Sequence, residues 1–233
     1  MAVFLDMTMD LNCDMGELED AAHEAALMEY ITSANIACGG HAGDEATMER
    51  TVRLAQARGV WIGAHPSYPD RANFGRVEMA LTTAEIESTV REQIERLEAV
   101  VRKLGGRITH VKPHGALYNV AARNEDVARA IGRAVAQWNH EAVLFGLLGS
   151  TSLDVWRAMG LPVAAEAFAD RRYEPDGSLR ARKFPDALIT DPHQAAAQAA
   201  RFAREGEAQT ICVHCDTPGA VEILKACRAE LFG

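Results

Sequence analysis

Apolar residues along this chain fall into short runs, separated by longer stretches in which they recur at helical spacing. The short runs are Thr8–Cys13, Thr32–Cys38, Val60–Ala64, Arg107–Lys112, Ala142–Leu148, Val163–Phe168, a brief Ala187–Thr190, and Thr210–His214. They predict strands. Because they are near-continuous rather than strictly alternating, they read as strands covered on both faces of a parallel sheet. The helical stretches are about Asp20–Tyr30, Glu45–Arg58, Thr83–Leu104, Glu125–Trp138, Ser152–Met159, Pro192–Arg204 and Gly219–Leu231. Several ends carry their own signal. Thr82-Thr83-Ala84-Glu85 has the form of a capping box, Gly59 and Gly105-Gly106 stand where left-handed C-caps favour glycine, and Asp191-Pro192 sets an N-cap acid before an N1 proline.

Seven or eight βα repeats without a Gly/Ser linker read as one domain over residues 1–233, either a (β/α) barrel or a doubly wound sheet. The polar clusters separate these two. Asn12-Cys13-Asp14, Asn35 through His41, His65-Pro66, Lys112-Pro113-His114 and His214-Cys215-Asp216 each fall at or just past a strand's C-terminal end. They come from early, middle and last strands alike. A closed barrel gathers all of them around one mouth, whereas an open sheet spreads the outer ones apart. The expected architecture is therefore an α/β barrel of about seven parallel strands, and a chain that repeatedly delivers His, Asp, Asn and Lys to that mouth is an enzyme. The insert from Pro66 to Met79 is too long for a plain βα turn and reads as a substrate-covering loop.

Composition narrows the partners. The formal charge is −9, with no run of Lys or Arg, so neither nucleic acid nor an anionic membrane is the expected partner. An anionic substrate needs local cations, which Lys112, Arg76, Arg171 and Arg172 could supply. No apolar run approaches the roughly 20 residues of a membrane span, the start of the chain does not read as a secretory signal, and the five cysteines are scattered. Together these point to a reducing cytoplasm. Cys212-x-x-Cys215 ends a strand and lacks a second pair, so it reads as incidental core and rim cysteines.

Residues two apart on a strand face the same way, and Asn12/Asp14, Lys112/His114 and His214/Asp216 all have that spacing. Such pairs either do chemistry or simply hydrogen-bond one another inside a barrel. Asp14 and Glu17 are candidates for a general base or a metal ligand, although Asp14 could instead cap the first loop. His41, His65 and His114 are candidate acid–base groups, and with Asp14 they could hold a divalent metal with an open position. His23, His140 and His193 read as solvated. Lys112 could stabilise oxyanion or phosphate charge, or form a Schiff base. Arg171 offers a guanidinium suited to phosphate or carboxylate. Neither G-x-x-x-x-G-K-[ST] nor G-x-G-x-x-G occurs, so a nucleotide would be bound another way.

The segments Asp10–Glu17, Ser33–Asp44, Ile62–Asp70 with Phe74-Gly75-Arg76, His110–Asn119, Phe168–Tyr173 with Asp176-Gly177, and Ile211–Pro218 resemble the LamB/YcsF family, the A subunits of prokaryotic ATP-dependent 5-oxoprolinase. They follow the family order across nearly the whole chain. The resemblance implies an irregular (β/α) TIM-like barrel of the glycoside hydrolase/deacetylase type. It implies opening of 5-oxo-L-proline to L-glutamate with ATP hydrolysed to ADP and phosphate, Mg²⁺ accompanying the nucleotide, and separate B and C subunits as partners. The resemblance supports the positions, not their individual roles; read from the chemistry, the catalytic set is Asp14, His65, Lys112 and His114. The substrate and ATP set is Asn12, Asn35, His41, Arg76, Tyr118, Arg171, His214 and Asp216. Gly40 stands where the family commonly has Phe, Cys215 where it commonly has Gly, and the stretch after Asp191 is compact. Two rival readings remain: a metal-dependent amide hydrolase acting on N-acetylated sugars, and a non-catalytic subunit that binds oxoproline.

Overall fold

The computed structural model describes residues 9–233. Seven parallel strands close into a barrel in chain order: β1 (Asp10–Met15), β2 (Ser33–Ala37), β3 (Trp61–His65), β4 (His110–Val111), β5 (Val143–Leu147), β6 (Val163–Phe168) and β7 (Thr210–Cys212). Closure is made by β7 pairing back onto β1, with Asp10 opposite Thr210 and Asn12 opposite Cys212. The expected barrel of parallel strands is therefore the observed one. Thr8, the first residue of the first expected strand, lies outside the described residues.

Local signals set the surrounding helices: α1 (Ala21–Met28), α2 (Glu45–Arg58), α3 (Thr83–Lys103), α4 (Gly115–Ala121), α5 (Glu125–Asn139), α6 (Thr151–Ala158), α7 (Pro192–Glu205) and α8 (Ala220–Phe232). Asp44 caps α2 by accepting from Thr47 N, and the helix stops at Gly59 in the left-handed region. The capping box of Thr82 and Glu85 forms at the head of α3. Asp191 accepts from Gln194 N beside Pro192 at the start of α7.

One expected strand needs correction, and one helix was not expected. Ala187–Thr190 is not a barrel strand: Leu188 makes an isolated antiparallel bridge with Arg171. Arg172 N donates to Ala187 O and Ile189 N to Asp170 O, so the run pairs with the segment just after β6 and folds into a strap over the mouth. The residues after Lys112-Pro113-His114 form α4, a helix too short to show a periodic pattern in the sequence.

Alternation inside the barrel also differs from the apolar reading. On β1, Leu11, Cys13 and Met15 join the core packed under the helices. Asn12 and Asp14, on the other face, reach across the barrel instead. The strands are buried on both faces, but the inner face is polar, so buried polar groups there must satisfy one another.

Candidate active site

The barrel interior is one hydrogen-bonded stack. At its floor, Asp10 accepts from Ser33 Oγ at 2.6 Å and also from the hydroxyls of Thr32 and Thr210. Above it, His110 Nε2 lies 2.9 Å from Asn35 Oδ1, and Asn35 Nδ2 donates to Asn12 Oδ1 at 2.8 Å and Asp14 Oδ1 at 3.0 Å. Asn12 Nδ2 in turn donates to Glu166 Oε1 at 3.0 Å. The donors and acceptors of both amides are thereby fixed by the network. Burial pushes His110 down to about 3, so its ring is neutral and rests stacked on Phe145.

Lys112 occupies the next layer. Its Nζ is 2.9 Å from both Asp14 Oδ1 and Glu166 Oε1, with Asn12 Oδ1 at 3.3 Å and Cys212 Sγ at 3.1 Å. Burial alone would pull the lysine down; the two carboxylates outweigh it and hold it well above its ordinary value. Burial likewise pushes Asp14 up, but its contacts with His65 and the Lys112 ammonium overcome it and keep the carboxyl well below the usual range. Tyr118 donates to Glu166 Oε2 at 2.7 Å, and burial holds its phenol protonated.

At the mouth the three histidines meet Glu17. Glu17 Oε1 is 2.8 Å from His41 Nε2, 3.2 Å from His114 Nδ1 and 3.6 Å from His65 Nε2. The rings of His41 and His114 stack at 3.7 Å, with His65 edge-on to His114. Burial pushes His41 down to about 4. Glu17 owes its place to Glu24 on α1, a buried carboxylate that accepts from the backbone N–H of Gly16, Glu17 and Leu18. Gly16 makes that turn in the left-handed region, at φ 73°.

Above this floor opens a cavity of about 1180 Å³. Its outer wall carries Arg76 from the covering loop and Arg182 from the strap, both paired with Asp216 at 2.6 and 3.0 Å. Arg171 also lines it; one Nη donates to Arg180 O, and its buried Nε has no partner among the described residues. His214 lies 3.0 Å from the buried Asp170 and stacks on Phe168.

The structure thus brings together nearly all the residues singled out in the sequence. Asn12, Asp14, Asn35, His65 and Lys112 form the floor, and His41 and His114 join His65 in the cluster. Tyr118, Arg76, Arg171, His214 and Asp216 form the wall. It puts Glu17 within reach of all three histidines, whereas Asp14 reaches only His65, with Oδ2, and turns Oδ1 to Lys112 and Asn35. Glu166 and His110 were not singled out. Glu166 had a signal, since it is the one charged residue of β6 and shares a face with Phe168 and, two further on, Asp170. Cys212 and Cys215 are free and touch the site, the first at Lys112 and the second with its thiol 3.4 Å from Glu17 Oε2. His140 and His193 are exposed as expected, whereas His23 is half-buried with Nε2 3.4 Å from Cys215 O.

A model of the LamB/YcsF family matches residues 9–232. The A subunit of 5-oxoprolinase from Chloroflexus aggregans is 50% identical over 240 residues, covering 97% of this chain and 95% of its own. That of Bordetella pertussis is 45% identical over 242 residues, covering 97% and 96%. A crystal structure of a lactam utilization protein from Thermus thermophilus superposes with a TM-score of 0.90 at 40% identity, over 97% of this chain and 96% of that one.

Proposed function

The chain belongs to the LamB/YcsF family, and from that premise we propose that it is the A subunit of a 5-oxoprolinase, opening 5-oxo-L-proline to L-glutamate at the barrel mouth. The observation that carries the reading is Asp14: an ionised carboxylate, buried at the foot of a cavity that opens to solvent, beside Lys112 and His65. A carboxylate held this acidic is a weak base. It suits a carbon already activated, and a lactam carbonyl is a poor electrophile until its oxygen is made a leaving group.

ATP supplies that activation in this reading. The lactam oxygen takes the terminal phosphoryl group and ADP departs. Water then adds to the ring carbon, losing a proton to Asp14 Oδ2, and the C–N bond breaks as the nitrogen is protonated. A second water cleaves the acyl phosphate that remains, which balances the reaction to glutamate, ADP and phosphate. Asp14 Oδ2 is the oxygen not engaged by Lys112 and Asn35. Lys112, its charge already matched by Asp14 and Glu166, keeps Asp14 ionised and aimed. Anion binding falls to Arg171, with Arg76 and Arg182, whose two charges share the single carboxylate of Asp216. Mg²⁺ would travel with the nucleotide, B and C subunits would complete the enzyme, and the compartment would be the cytoplasm. Among the described residues no helix is long and apolar enough to cross a membrane.

The cluster of Glu17 with three histidines favours a second reading, an amide hydrolase that needs a metal and no ATP. Glutamate release from 5-oxo-L-proline, with and without ATP, by the chain alone and mixed with B and C subunits, separates them. ATP-dependent release in the mixture is the expected result. No release from the folded mixture, or release indifferent to ATP, overturns the proposal.

A further inference from the structure

The histidine cluster crowds acceptor atoms around two buried ring nitrogens. His65 Nδ1 is 2.7 Å from Lys112 O, and His114 Nε2 is 3.0 Å from Phe74 O. A carbonyl oxygen can only accept, so each of those nitrogens carries the hydrogen. With both rings neutral, the remaining nitrogens, His65 Nε2 and His114 Nδ1, turn lone pairs toward each other across 2.9 Å, so a proton or a metal ion must stand between them. Close to them stand three carboxylate contacts: Glu17 Oε1 at 3.6 and 3.2 Å, and Asp14 Oδ2 at 3.3 Å from His65 Nε2. Bare lone pairs and carboxylates this close, and this buried, repel unless a positive charge stands among them.

We infer that Glu17, His41, His65 and His114 bind one divalent transition-metal ion of the zinc class. The spacing fits. Glu17 Oε1 to His41 Nε2, His65 Nε2 to His114 Nδ1, Glu17 Oε1 to His114 Nδ1 and Glu17 Oε1 to His65 Nε2 measure 2.8, 2.9, 3.2 and 3.6 Å. These bracket the roughly 3.3–3.4 Å edge of a tetrahedron with zinc-to-nitrogen bonds of about 2.0–2.1 Å. Three imidazoles and one carboxylate select a borderline cation over Mg²⁺ or Ca²⁺, which prefer oxygen. The backbone carbonyls behind His65 and His114 act as the outer partners that fix ring tautomer and orientation in metal sites. His41 Nδ1 has no such partner among the described residues, which makes His41 the weakest ligand of the four.

Nothing in the site is spare for this purpose. The loop that supplies Phe74 O takes a left-handed turn at Phe74 (φ 55°) and Gly75 (φ 63°). A Cβ on Gly75 would stand 2.9 Å from His41 Cβ and 3.1 Å from His114 Cδ2, so the covering loop is shaped to lie directly on the two stacked rings. The inference concerns the binding of an ion and stands whether or not the chain opens a lactam.

The test is equilibrium binding to the full chain, purified without a polyhistidine tag and stripped with chelator. Zn²⁺ is titrated against a chromophoric chelator, and Co²⁺ is followed by its visible absorption. One ion per chain is expected, with the intense cobalt band of a four- or five-coordinate site. His65→Ala and His114→Ala should each weaken Zn²⁺ by more than the roughly 10–100-fold that loss of an outer-shell partner costs. His41→Ala should cost less, and Asp14→Asn less than either of the first two. The inference is overturned if the stripped wild-type chain takes up no ion, if it takes Mg²⁺ in preference to Zn²⁺, or if its cobalt band is the weak one of a six-coordinate aqua ion. It is equally overturned if His114→Ala, folded by circular dichroism, binds like wild type. Should both alanine variants fail to fold, the wild-type cobalt spectrum decides.

Discussion

Replacing Lys112 with methionine keeps an unbranched side chain one atom shorter and deletes the charge at the centre of the barrel. Asp14 and Glu166, each 2.9 Å from the ammonium, are left buried without it. Removing one partner from a buried ion pair costs about 3–5 kcal/mol, because the other charge is stranded. For a chain of this size each kcal/mol lowers Tm by about 2–4 °C, which gives a drop of roughly 6–20 °C. The loss should also depend on pH. Without the ammonium the Asp14 carboxyl rises, and a group raised in the folded state stabilises at low pH and loses that stabilisation as pH climbs through its new value. The gap between wild type and Lys112→Met should therefore widen from pH 4.5 to pH 7. Urea midpoints read from the fluorescence of Trp61, Trp138 and Trp156 measure it. Lys112→Met/Glu166→Gln, which removes the second charge as well, should regain about 1–3 kcal/mol of the deficit. A single-variant cost below about 1 kcal/mol, flat with pH, would refute the picture of Lys112 as the counter-charge of the floor, since that is the worth of an exposed pair.

Other consequences follow from the same network. His110, pushed down to about 3 by burial, is neutral in the fold and takes a proton near its ordinary value only when unfolded. Its contribution is complete above about pH 6.5 and falls away below, by up to about 1.4 kcal/mol per pH unit. Wild type should accordingly lose stability more steeply than His110→Gln between pH 6.5 and pH 4.5, and equal slopes would exclude this origin. Gly63→Ala drives a Cβ into His110 Nε2, which Asn35 and Phe145 hold in place. It should cost about 1–3 kcal/mol of overpacking, and much less in a His110→Ala background, as thermal melts of the two pairs would tell. Arg171→Met removes the buried guanidinium whose Nε has no partner among the described residues. If it binds a reacting anion, the KM for ATP or for oxoproline should rise roughly 10–100-fold, the worth of a charged hydrogen bond of about 1.5–3 kcal/mol. Unchanged KM for both would remove Arg171 from the site.

What the sequence made legible was what depends on near neighbours. Helix ends at Asp44, Gly59, Thr82 and Asp191 fall where their caps put them, because a cap needs only residues within one turn. The i, i+2 spacing of Asn12/Asp14 and Lys112/His114 put both members of each pair on the inner face of the barrel, where the structure has them. Long-range choices were not legible. Asp14 and Glu17 stand three residues apart, and which of them meets the histidines is decided by the turn at Gly16 and by Glu24, a helical residue with no outward sign of a role. The run Ala187–Thr190 looks like a strand because it is apolar and short. It became a strap because the segment after β6 offered its backbone a closer partner.

Gly40 carries this lesson further, because the fold shows why the position is tight. A Cβ at Gly40 would overlap both Gln93 Oε1 and Ser67 Oγ. Gln93, buried on α3, accepts from Ser67 N at 3.0 Å and donates to Ser67 O at 2.8 Å, clamping the first residues of the covering loop. A phenylalanine at position 40 and this clamp cannot share the space. The chain thus holds the start of the loop by paired hydrogen bonds. The same loop ends in Phe74 O on His114 and Arg76 on Asp216. An exchange at position 40 therefore reaches the chemistry through the position of the loop, and leaves every polar group of the floor untouched.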